Sequence, residues 1–154
     1  VRPTIVKGES MVPTLYPNDY LIMNRLAYKN KPVEYLDVVV FHSKLSLDGE
    51  SSKKKKDLVK RVIGLPGDII EVKDGMVYRN GEELNEPYIN DGITDRDIMV
   101  VVPQNQYFVM GDNRLNSSDS RDDRVGMISK ENIIGKVTLR LFPFSKITTD
   151  FLPE

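Results

Sequence analysis

Cysteine and tryptophan are absent from this 154-residue sequence, and histidine occurs once, as His42. Without cysteine there is no disulfide, no thiolate nucleophile and no zinc–cysteine site, and one imidazole is a poor start for a transition-metal site. Chemistry without cofactor or metal is therefore expected. The lack of cysteine fits either side of a bacterial membrane. Charge of one sign is also lacking: 22 basic residues face 23 acidic ones, for a net charge of −1, so no global field points to nucleic acid. Long hydrophobic runs are missing as well. The longest is the five residues 98–102, against about 20 for a membrane-spanning helix. The length suits one domain, residues 1–154, with room for a small annex at about 80–105.

What is present reads as mostly β. β-branched residues come in short runs bounded by Gly, Pro, Asn and Asp, which predicts strands near 20–24, 37–42, 58–63, 69–73, 76–79, 99–102, 107–110 and 135–141. Asp74-Gly75 and Asn80-Gly81 supply residues that tolerate the positive φ of tight hairpins, so a meander is expected over 69–84. One short helix is expected at 130–134, capped by Ser129 and stopped by Gly135. Residues 45–57, with four consecutive lysines at 53–56, read as a polar loop whose charges are solvated. Residues 85–97 read as a second polar connector.

Three segments carry chemistry. In Gly8-Glu9-Ser10-Met11-Val12-Pro13-Thr14-Leu15 a serine sits in a Gly-containing turn followed by a proline, the setting of a rigidly presented nucleophile. With so little histidine, some other residue must take its proton. Lys60, flanked by Leu58, Val59, Val62 and Ile63, fits: burial in a strand disfavours the charged amine and lowers its pKa. Alternation alone leaves open which face of that strand is buried. Bringing the amine from about 10.4 to near 7 costs roughly 4.6 kcal/mol. The third segment, Gly111-Asp112-Asn113-Arg114-Leu115-Asn116-Ser117-Ser118-Asp119-Ser120-Arg121, follows an apolar strand. By itself it is either a surface loop or one wall of a site, in which hydroxyls orient an amine and Asp119 pairs with Arg121.

These motifs, with Lys60-Arg61-Val62-Ile63-Gly64-Leu65-Pro66-Gly67-Asp68 and Asp37-Val38-Val39-Val40-Phe41, resemble in identity and order those of the bacterial type I signal peptidases, in the shorter Gram-positive form. The resemblance runs from about Val6 to Phe144. It implies antiparallel sheets in a barrel-like β fold with a small β annex, and a membrane-associated serine endopeptidase that removes signal peptides after Ala-x-Ala sites through an acyl-enzyme. Ser10 would be the nucleophile and Lys60 the general base. Ser117 would hold the lysine amine, while Asp112 with Arg61 and Asp119 with Arg121 would form supporting pairs. Val6, Met11, Leu15, Val40 and Val59 would wall shallow pockets for small side chains. The Ser10 N–H would hold the oxyanion. Gly8 stands where some members carry a second, hydroxyl donor, typically worth ~2.7–4 kcal/mol. Implied partners are secretory preproteins and a lipid surface, with 141–144 a candidate for contacting the latter or for a buried closing strand. The chain would be a monomer on the extracytoplasmic side of the cell membrane, its N-terminal anchor not among these residues, which begin at Val1 without a methionine.

Other features are weaker. His42 follows a strand and is expected to be a packing or surface residue. Ser51-x-x-Lys54 and Ser52-x-x-Lys55 match a penicillin-binding pattern without its partner motifs. Asn116-Ser117-Ser118 is a formal glycosylation sequon. Two alternative functions are a cytosolic self-cleaving repressor-type Ser-Lys peptidase, which should carry an Ala-Gly site although Ala27 is the only alanine, and a non-enzymatic polyanion-binding module built on the lysine run.

Overall fold

β-branched side chains crowd a helix but fit a pleated sheet, and the Val- and Ile-rich runs of this chain build two antiparallel sheets. The computed structural model describes residues 2–46, 55–89 and 92–153. The larger sheet has seven strands: β1 (Arg2–Ile5), β2 (Tyr20–Asn24), β3 (Val38–Ser46), β4 (Lys55–Gly64), β9 (Gln106–Met110), β10 (Ile128–Ser129) and β11 (Ile133–Phe142). Their order is β1-β2-β11-β3-β4-β9-β10, every neighbouring pair being antiparallel. No pairing among the described residues joins the edges β1 and β10. The smaller sheet has the order β7-β6-β5-β8, from β5 (Ile69–Lys73), β6 (Met76–Arg79), β7 (Glu82–Glu83) and β8 (Ile98–Val101).

The central strands are apolar on both faces. Along β3, Val38 and Val40 pack with Met11, Leu15, Leu21 and Met23, whereas Val39 and Phe41 pack on the other side with Val62 and Val109. A period of two therefore feeds two separate clusters. A third cluster joins the sheets: Ile70, Val72 and Val77 meet Ile63, Phe108 and Met110. The expected meander is present. Asp74 and Asn80 have φ of 51° and 53°, each followed by a glycine at 85°, the geometry that Asp-Gly and Asn-Gly turns provide.

Two expectations need correction. The helix over 130–134 is only a one-turn 3-10 helix at Lys130–Asn132, and Ile133 already begins β11. The adjacent Ile133-Ile134 pair favours strand, and Gly135 terminates no helix. It lies inside the strand, where an added Cβ would come within 2.8 Å of the Asn24 carbonyl oxygen. The loop expected over 45–57 is shorter at both ends, because β3 extends to Ser46 and β4 begins at Lys55. Its centre, with Ser51, Ser52, Lys53 and Lys54, lies outside the described residues.

Candidate active site

Strand β4 carries Lys60 and Arg61 at successive positions, opposite Val39 and Val38 of β3, so their side chains leave opposite faces. Lys60 is 3% exposed. Its Nζ donates to Ser10 Oγ at 2.6 Å across fifty residues of sequence. Burial pushes the amine down from its ordinary 10.5 to about 8. The carboxylates of Asp119 and Asp112 pull it back up, and the Arg121 guanidinium pushes it further down. Loss of solvation outweighs the two carboxylates.

Arg61 leaves the other face fully buried and is saturated with acceptors. Its Nε and Nη2 donate to Asp112 at 3.0 and 2.8 Å, and further bonds reach the Leu36 and Phe151 carbonyls. Asp112 also accepts from Thr14 Oγ1 at 2.5 Å. One carboxylate thus ties β4 to the turn that presents Ser10. Asn113 adds two bonds to that turn, its N–H to the Ser10 carbonyl at 2.8 Å and its side-chain amide to the Glu9 carbonyl at 3.0 Å. Gly111 is required by crowding: a Cβ there would meet the Ser117 hydroxyl and would lie 2.5 Å from the Ser10 carbonyl oxygen.

Asp119 is buried and binds Arg121 through both oxygens, with bonds from Nε and Nη2 of 2.9 Å each. Its Oδ2 also accepts from the Gly111 N–H and from the Ser117 hydroxyl at 2.8 Å. Ser117 therefore donates to Asp119 and makes no hydrogen bond to the Lys60 amine. It stands beside the site through the carboxylate that faces that amine. These bonds hold the Asp119 carboxyl below its usual range despite burial.

Sequence reasoning missed the outer ring of this network. Arg114 is buried and binds Glu86 through Nη1 and Nη2 at 3.0 and 2.7 Å. Arg121 reaches Asp95 at 2.8 Å. Glu86 and Asp95 both come from the connector read only as polar linker. The Tyr88 ring from the same connector lies 4.3 Å from the Arg61 guanidinium and 5.9 Å from that of Arg114. Charge counting gave no signal for these partners, because Arg114 and Arg121 are matched in number by Asp112 and Asp119 within the loop; only the pairing of Asp112 with Arg61 leaves Arg114 to find a carboxylate elsewhere. No buried side-chain polar atom among the described residues lacks a partner, as a stable buried ionic network requires.

A groove of about 710 Å³ is lined by residues 3–5, Lys7, Gly8, Tyr20, Val40 and 56–59, so its wall comes within two residues of Ser10 at Gly8 and within one of Lys60 at Val59. Of the five expected pocket residues, Val40 and Val59 line it. Val6, Met11 and Leu15 instead lie buried in the cluster beneath, where they anchor the turn that carries Ser10. His42 is on the surface, its Nδ1 2.7 Å from Asp57 and not directed at Ser10. The Ser10 N–H donates to no protein group among the described residues.

A serine hydroxyl in contact with a buried, partly deprotonated lysine amine is the arrangement of serine hydrolases that work without histidine. Comparison with known proteins narrows this class. Residues 1–142 match the model of the signal peptidase, peptidase S26 family. Signal peptidase IB of Staphylococcus aureus (strain Mu50 / ATCC 700699) is 40% identical, over 100% of this chain and 84% of the relative. Signal peptidase I of Bacillus caldolyticus is 39% identical, over 96% and 82%. The crystal structure of a signal peptidase I from Enterococcus faecalis V583 superposes with a TM-score of 0.56 at 29% identity, covering 70% of this chain and 98% of that one. The chain belongs to the signal peptidase, peptidase S26 family and is a serine endopeptidase.

Proposed function

We propose that this chain removes N-terminal signal peptides from exported preproteins after Ala-x-Ala sites, with Ser10 as nucleophile and Lys60 as general base. The observation that carries this reading is the 2.6 Å contact between Ser10 Oγ and a buried amine whose pKa has fallen to about 8. The neutral amine takes the hydroxyl proton as Oγ attacks the scissile carbonyl. The tetrahedral oxyanion accepts from the Ser10 N–H, which donates to no other group among the described residues. Gly8 offers no side chain, so the other donor is a water or a further backbone group. As the intermediate collapses, the lysine ammonium protonates the departing amine, leaving the acyl ester on Ser10. The restored neutral lysine then takes a proton from water as its oxygen attacks the ester carbonyl, and returns that proton to Ser10 Oγ as the acyl–oxygen bond breaks and the carboxyl product leaves.

The groove supports an extended substrate. Among the described residues β1 pairs only with β2, and β4 meets β9 only from Arg61 onward, so residues 2–5 and 56–59 present free edges to a peptide lying between them. Val40 and Val59 leave room for small side chains. Exposed Ile5 and Tyr20 adjoin Phe142 and Phe144, whose rings meet edge to face, and this apolar surface would rest on the lipid where the cleavage site emerges.

The test is cleavage of a peptide with an Ala-x-Ala site in detergent. Ser10→Ala and Lys60→Met should each lower kcat at least a thousandfold, while His42→Ala stays within twofold of the parent. Normal turnover by Lys60→Met would refute the dyad.

A further inference from the structure

Four antiparallel steps, through β2, β11 and β3, separate β1 from β4. The two free edges of the groove therefore run in the same direction, and each leads to one catalytic residue: β1 toward Ser10, β4 toward Lys60. A lysine also stands shortly before each catalytic residue: Lys7, two residues past the end of β1 and three before Ser10, and Lys56, within β4 and four before Lys60. Lys56 and Lys60 share a strand face, since residues i and i+4 do. Both Lys7 and Lys56 line the groove, from opposite walls. Neither ammonium has an ion-pair partner among the described residues. The acidic residue that does line the groove, Asp57, is engaged by His42 at 2.7 Å.

At a strand rise of about 3.3 Å per residue, Lys56 lies ~13 Å upstream of the reacting centre. An extended substrate that lies between the two edges and runs parallel to both brings its residues about four to five positions before the cleaved bond to that level. We propose that Lys7 and Lys56 form a charge selector there, favouring an acidic side chain four or five residues before the cut and disfavouring a basic one. This rests on the signal-peptide reading above and adds a determinant beyond the small-residue pockets.

Three peptides that differ only in Glu, Gln or Lys four residues before the cleaved bond test it. Wild type should rank them Glu, Gln, Lys in kcat/KM, with roughly tenfold between the extremes at low salt, falling toward unity near 1 M salt as screening grows. In Lys7→Gln/Lys56→Gln the ratio should drop below about twofold. Anisotropy of the same labelled peptides on Ser10→Ala should reproduce the ranking as affinities. If wild type cuts none of them, the peptidase reading fails while the binding arm still decides the selector. A ratio near one in wild type, or one unchanged in the double variant, overturns the proposal. So does a double variant that loses anionic-vesicle binding with its peptide ranking intact, which would assign these lysines to lipid headgroups.

Discussion

With the Lys60 amine near 8, roughly one tenth of it is neutral at pH 7 and roughly nine tenths at pH 9. Under the proposed mechanism, kcat/KM should therefore climb about tenfold across that interval, along a limb with an apparent pKa near 8. Stability carries the same signature. The folded pKa lies below the unfolded 10.5, so the unfolded chain binds this proton more tightly. The resulting penalty is complete below 8 and is relieved as pH rises from 8 to 10.5. Lys60→Met should gain up to about 3 kcal/mol in urea denaturation at pH 7, a gain that shrinks by pH 10. Asp119→Asn removes the largest influence holding the amine up, so the limb should move below 8. It also strips a buried guanidinium of its main partner, at a cost of about 3–5 kcal/mol. Unchanged pH profiles for this variant would separate Asp119 from the amine. The contact of Ser10 with Lys60 was legible in the sequence because a candidate serine nucleophile without histidine restricts its helper to very few residue types. Thr14 and Asn113 were not, since a threonine and an asparagine in loops have no distinguishing chemistry until their partners are placed.

Among the elements, β4 does the most positioning, sending Lys60 to Ser10 and Arg61 to Asp112. Arg61 draws one of its acceptors from far away, the Phe151 carbonyl, while Phe151 packs against the cluster holding Met11 and Leu15. Truncation after Thr148 should leave Nη2 short of an acceptor and cost about 1–3 kcal/mol. Thermal unfolding reads that cost, and a matching fall in kcat would show that the strain reaches the Ser10 turn. The strands themselves were mostly readable, 20–24, 69–73 and 76–79 to the residue, because alternation and Asp-Gly or Asn-Gly turns act locally. The strands that escaped, β1 and β10, are four and two residues long and lie at the two edges of the larger sheet. Their identity comes from the partner strand and not from their own composition.

At the scale of the whole molecule, the apolar surface of Phe142 and Phe144, the latter 72% exposed, adjoins the groove mouth. Phe142→Ser/Phe144→Ser should weaken partition onto lipid vesicles severalfold while a short soluble peptide is cut at a rate within twofold of the parent. Vesicle co-sedimentation and the peptide assay together check it. The sequence by itself determined the fold class and singled out Ser10, Lys60 and the 111–121 loop as one group, because strand periodicity, turn residues and the scarcity of imidazole are properties of local composition. Only the tertiary structure decided that Ser117 serves Asp119, that Val6, Met11 and Leu15 lie wholly in a core cluster of which Val40 forms the groove-side wall beside Val59, and that Glu86, Asp95 and the Phe151 carbonyl complete the buried arginines. Those facts depend on which distant segments share a desolvated space, where every charge and donor must find a partner wherever the chain brings one.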